Sequence, residues 1–165
     1  VFTLGSAASL EPGDFYRQSA DAAREVGRRA VLIGAPADSP GLASGDDGVW
    51  LEPWLPLPPI FQRAAAVIHH GGIGVTSHAL AAGKPMLVVP HAHDQPDNAR
   101  RAERLGVALA IPRGRYEAGR AASALLRLTG DPSFTVRAGE LAGAVRVERG
   151  GAVAAAAVER AIHER

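Results

Sequence analysis

The sequence predicts an α/β domain, a doubly wound parallel sheet with helices on both faces, and three observations carry that expectation. Apolar runs of strand length alternate along the chain with stretches whose apolar residues recur at helical spacing. Runs such as Ala66-Val67-Ile68 and Met86-Leu87-Val88-Val89 are apolar throughout, as strands covered on both faces must be. Glycine or proline stands at most junctions, where the chain has to turn between strand and helix.

The elements follow in order. Residues 1–4 form the first strand, and Gly5-Ser6 is its turn. A helix follows Pro12, with Phe15, Ala22, Ala23 and Val26 on its apolar side and Gly27 to close it. Residues 30–33 are the second strand. The glycine-, proline- and aspartate-rich stretch 34–48 is a surface loop, where Asp46-Asp47 reads as a turn former rather than a cation site, which needs several converging oxygens. Residues 49–51 make a third strand, and four prolines over 53–59 predict an extended path before a short helix at 60–64. Strands are expected at 66–68, 86–89 and 107–111. Helices are expected from about Gly74 to Ala82, stopped by Gly83, and over 98–105, 116–128, 133–147 and 152–165. Gly130-Asp131-Pro132 supplies a stop, a cap and a first-turn proline in succession.

Composition bounds the function. At 165 residues and 47% apolar, residues 1–165 have room for one globular domain with a real core. A formal charge of +1 argues against a general nucleic-acid binder, so Arg100, Arg101 and Arg104 read as a solvated helix face. The absence of cysteine removes a disulfide framework, a thiolate zinc site and a catalytic thiol, and it fits a cytoplasmic protein. No stretch has the length or purity of a membrane span, and no signal-peptide pattern is present. Val1 in place of methionine, inside a strand-like run, leads us to expect a piece of a longer chain.

The run Val67-Ile68-His69-His70-Gly71-Gly72-Ile73-Gly74-Val75-Thr76 is the one on which function turns. A buried strand breaks into three glycines and restarts as a helix, whose free N–H groups and positive dipole end suit an anion such as phosphate. His70 adds a possible N–H donor that a plain turn would not need. The competing reading is a glycine-rich turn beside a buried histidine. After the next strand comes the polar loop 91–98, and loops at the carboxyl ends of adjacent parallel strands face one crevice.

Taken together, Trp54-Leu55-Pro56, His70-Gly71-Gly72, Gly74-x-Thr76, Gly83-Lys84-Pro85, Pro90 and Asp94-Gln95-x-x-Asn98 resemble the donor-binding signature of nucleotide-sugar glycosyltransferases. That family includes UDP-glucuronosyl, sterol and antibiotic glycosyltransferases of the two-domain GT-B architecture. The resemblance spans nearly the whole chain as the Rossmann-like C-terminal half, and Phe2-Thr3-Leu4-Gly5-Ser6 is similar to its opening strand and turn.

The resemblance implies metal-independent, inverting transfer from a UDP- or dTDP-sugar to a small-molecule hydroxyl acceptor, a natural product, with no resident cofactor. It places the donor diphosphate against Ser6, His70, the backbone at Gly72, Gly74 and Val75, and the Thr76 hydroxyl. Ser6 and Thr76 also read as ordinary turn and helix residues. Trp54 is placed under the base with the Leu55 backbone at its edge, although Trp54 also reads as a core residue. Asp94 and Gln95 are placed on sugar hydroxyls, the competing role of Asp94 being a helix cap. His91 and His93 are expected at the cleft rim.

Some positions depart from the family pattern. Val75 stands where many bacterial relatives carry a second hydroxyl, His78 where plant relatives carry a ribose-binding glutamate, and Leu57 where they carry glutamine. These point to the bacterial natural-product branch. In the family the general base is a histidine held by an aspartate in the N-terminal half, and no such pair is identifiable here. The chain is therefore expected to bind a donor, with an N-terminal acceptor-binding domain as its partner and no catalytic residue of its own. The alternatives are a stand-alone or split-enzyme nucleotide-sugar-binding module and, third, a sugar-nucleotide epimerase of the same architecture.

Overall fold

A computed structural model describes residues 1–5, 8–36, 39, 42, 45–148 and 150–163, with only the backbone at 46. Six strands form one sheet: β1 (Phe2–Thr3), β2 (Ala30–Ile33), β3 (Val49–Glu52), β4 (Val67–His69), β5 (Met86–Val88) and β6 (Ala108–Ala110). They lie in the order β3-β2-β1-β4-β5-β6, every pair parallel, with Phe2 in register between Leu32 and Ile68. This is the expected doubly wound sheet. The order reverses between β1 and β4, where successive connections leave for opposite faces and a crevice opens at the carboxyl ends.

Strand alternation divides the core in two. Ala66, Ile68, Leu87 and Val89 face one layer, and Val67, Met86 and Val88 face the other. The first layer is covered by α1 (Phe15–Glu25) and α5 (Ala118–Gly130) through Phe15, Ala22, Ala23, Ala121, Leu125 and Leu128. The second is covered by α2 (Leu57–Arg63), α3 (Ile73–Ala82), α4 (Gln95–Arg104) and α6 (Pro132–Val147), through Phe61, Ala79, Ala99, Ala102 and Ala138. The small helix residues let the helices approach the strands closely. By contrast α7 (Gly150–His163) contains no buried residue. Among the described residues no helix is long and apolar enough to cross a membrane.

The punctuation acts largely as expected. Gly83 ends α3 in the left-handed conformation at φ 66°, and the Asp131 carboxylate caps α6 by accepting the Ser133 N–H at 2.9 Å. Two expectations need correction. The extended path over 53–59 gives way to helix at Leu57, and α4 starts at Gln95 rather than Asn98. In both cases prolines occupy the first helical turn, where the N–H that proline lacks would have no partner in the helix. Smaller shifts occur at helix ends, α5 beginning at Ala118 after a short 3-10 turn at Arg113–Arg115.

Phe61 is fully buried in the second layer, whereas Val158 of α7 is 60% exposed. Phe61→Ala should cost about 3 to 5 kcal/mol in urea unfolding. Val158→Ala should stay within about 0.5 kcal/mol of the parent.

Candidate functional site

The carboxyl ends of β1 and β4 meet in a hydrogen bond between residues far apart in sequence. The Gly5 N–H donates to His70 Nδ1 at 3.0 Å, which places the proton of the neutral ring on Nε2. His70 is mostly buried, and its pKa is lowered, first by burial and then by neighbouring His91, against an opposing effect of Asp94. The ring lies between two glycines. A Cβ at Gly5 would come 2.5 Å from both Cε1 and Nε2, and one at Gly72 would overlap Nε2. Glycine is required at both positions for space around the imidazole.

Behind it, His69 is fully buried, and its Nδ1 accepts the Gly71 N–H at 3.0 Å. Burial, and then neighbouring His70, push the His69 pKa down to about 3, so this ring too is neutral. Gly71 itself has φ 91°, and a Cβ there would sit 2.8 Å from Val88 Cγ1. The glycine turn is thus held by the His69 imidazole and pressed against β5.

Gly72 precedes α3 with no side chain capping it, and the Thr76 N–H is bonded back to Gly72 O at 3.0 Å. The N–H groups of Ile73, Gly74 and Val75 precede that first helical bond and lie at the positive end of the helix dipole. The Thr76 hydroxyl, named above as a diphosphate donor, gives its hydrogen to Gly72 O at 2.9 Å and is buried. To donate to a ligand it must turn from that carbonyl. Ser6, the remaining diphosphate candidate, lies outside the described residues.

The 91–98 segment closes the other side. Gln95 is 6% exposed, and its Oε1 accepts the N–H groups of His91 and Ala92 at 2.8 and 3.0 Å. Its carbonyl is spent shaping this turn. Asp94 stands at the cap position of α4 but makes no side-chain cap bond. Instead Oδ2 accepts from Asn98 Nδ2 at 2.8 Å, and the same nitrogen donates to Gly71 O at 2.9 Å. His91 is half-buried. Its Nδ1 is 2.8 Å from Val89 O, its ring meets Phe15 edge-on, and burial lowers its pKa. His93 is exposed, with φ 58°.

Trp54, in the loop leaving β3, is 74% exposed, which rules out the core role, and Leu55 beside it is half-buried. The parallel sheet puts this loop at the same edge as the histidines, three strand spacings from β4. Sequence reasoning missed the Gly5 and Asn98 bonds. The i, i+4 spacing of Asp94 and Asn98 was a usable signal for the second.

The family described as erythromycin biosynthesis protein CIII-like, C-terminal domain, matches residues 19–152. The chain is similar to the O-mycaminosyltylonolide 6-deoxyallosyltransferase of Streptomyces fradiae, at 35% identity over 159 residues, 91% of this chain and 35% of that protein. It is also similar to the vancomycin aglycone glucosyltransferase of Amycolatopsis orientalis, at 38% identity over 154 residues, 92% of this chain and 37% of that protein. Among solved structures, the glycotransferase of kitacinnamycin superposes with a TM-score of 0.79 at 28% identity, covering 96% of this chain and 42% of that one. The chain spans about a third of the length of the curated relatives it matches.

The buried histidines give a pH dependence of definite sign. His69 titrates near 6.5 when unfolded and near 3 when folded, so the unfolded state takes up the proton first. Stability should be undiminished above about pH 6.5 and fall as pH drops toward 3, by roughly 1 kcal/mol per unit. His70, also lowered, acts in the same direction. Urea unfolding at about pH 7 and about pH 5 checks this, and His69→Asn should reduce the difference.

Proposed function

This chain belongs to the erythromycin biosynthesis protein CIII-like C-terminal domain family, the C-terminal domain of GT-B antibiotic glycosyltransferases, and from that premise we propose that it binds the sugar-nucleotide donor. The donor is a UDP- or dTDP-sugar, and the reaction is metal-independent, inverting transfer of the sugar to a hydroxyl of a natural product. The observation that carries this reading is the His70 Nε2–H, fixed by Gly5 and set between two glycines beside the uncapped start of α3. The relatives named above are a 6-deoxyallosyltransferase and a glucosyltransferase, in keeping with a sugar donor.

In the proposed step an acceptor oxygen attacks the anomeric carbon on the face opposite the leaving group. A carbon–oxygen bond to the acceptor forms, the bond to the β-phosphate breaks, and its electron pair leaves with the diphosphate. The acceptor proton goes to a base contributed by an N-terminal domain. This chain's part is to stabilise the departing charge with the His70 Nε2–H, the N–H groups from Gly72 to Val75 and, after rotation, the Thr76 hydroxyl. Ser6 is assigned to the same diphosphate.

The exposed Trp54 ring is available to stack on the base, with the Leu55 backbone at the base edge. Strands β3 and β4 lie three spacings apart, about 14 Å at about 4.8 Å each, so the nucleotide lies across the strand ends. Asp94 accepts from sugar hydroxyls. Gln95, its carbonyl committed to the turn, contributes its amide N–H groups.

Calorimetric titration with UDP, dTDP, GDP and their sugar conjugates tests the reading, which expects binding of a pyrimidine diphosphate without sugar transfer by this chain alone. His70→Ala should weaken diphosphate binding by roughly 1.5 to 3 kcal/mol and leave nucleoside binding nearly unchanged. Asp94→Ala should lower affinity for the sugar diphosphate and spare the free diphosphate. Parallel losses for both ligands would remove Asp94 from the sugar site.

A further inference from the structure

We infer that Asn98 is a positioning residue that couples the glycine turn to the Asp94 carboxylate and so fixes the sugar relative to the diphosphate; the inference rests on the donor reading above. A single amide nitrogen does the coupling. Asn98 Nδ2 has two hydrogens, and both are committed, one to Gly71 O at 2.9 Å and one to Asp94 Oδ2 at 2.8 Å. Asn98 lies one helical turn beyond Asp94, so α4 sets their spacing.

Each bond has a directional consequence. The Gly71 carbonyl and the Gly72 N–H belong to one planar peptide and point in opposite directions, so holding the oxygen aims the N–H. Gly71 has little freedom to compensate, because its own N–H is held by His69 Nδ1 at 3.0 Å, and a Cβ in its place would meet Val88 Cγ1 at 2.8 Å. The second bond fixes one carboxylate oxygen of Asp94 and thereby orients the other. One side chain therefore sets a donor for the diphosphate and an acceptor for the sugar together, and the bond between sugar and phosphate must fit the distance between them.

The test is a double-mutant cycle read as a preference, the affinity for dTDP-glucose divided by that for dTDP, repeated with UDP-glucose and UDP, in the parent, Asn98→Ala, Asp94→Ala and the double variant. Asn98→Ala should lower the preference about tenfold in the parent, as loss of a hydrogen bond to a charged group implies, and should change it little when Asp94 is already alanine. Asn98→Asp keeps the shape but replaces the donor with an acceptor, and should lower the preference at least as far. A merely structural asparagine would weaken both ligands alike and would act the same with or without Asp94, an outcome that overturns the inference. Should Asp94→Ala abolish the preference while Asn98→Ala leaves it intact, the inference falls and the donor reading stands. A parent chain that binds neither nucleotide nor sugar nucleotide overturns both.

Discussion

The hydrogen bond from the Gly5 N–H to His70 Nδ1 is the constraint on which the site depends. It spans the point where the strand order reverses, between β1 and β4, and ties together the two turns that the pairing of those strands brings side by side. From it follow the tautomer of His70, the direction of its remaining N–H and the two glycines that make room for the ring. Without that bond, the glycine turn would still lead into a helix. It would lack a fixed side-chain donor.

Around this bond the polar groups are arranged before any ligand arrives. His69 holds the Gly71 N–H, Gln95 holds two N–H groups of the neighbouring turn, and Asn98 joins the two segments. Donors fixed in advance need little reorganisation when negative charge develops beside them, which is the condition under which they stabilise a leaving group most. Burial keeps His69 and His70 neutral, so their contribution is directional N–H and nitrogen lone pairs rather than formal charge. The positive character of the turn then comes from the His70 imidazole N–H and from peptide dipoles at the start of α3.

Much of the fold was legible because buried parallel strands and alternating helices leave strong local signals. All six expected strands are present, and the alternation across 86–89 sorts side chains to opposite cores as period two requires. The prolines misled for a physical reason. Pro58 and Pro59 read as part of an extended path and Pro96 as part of a loop, yet a first helical turn has no use for the N–H they lack, so they open α2 and α4. In the site, residue types at the turns were readable and their bonds were not. Gly5 and His70 lie 65 positions apart, and no local pattern announces a backbone N–H meeting an imidazole at that separation. The inward carbonyl of Gln95 and the back-bonded Thr76 hydroxyl were hidden for the same reason, since each depends on a backbone group placed by the turn.

The distance in sequence between Gly5 and His70 has a practical side for building chimeras. When segments of related domains are spliced, a breakpoint anywhere between Gly5 and His70 separates the amide from the ring that it holds. The parents must then agree at positions 5, 70 and 72 as a set, because a ring inherited from one parent needs the hollow inherited from the other. Breakpoints after Gly72 carry no such debt to the opening strand. The glycines that look most interchangeable in an alignment of parents are therefore the ones that decide where the chain can be cut.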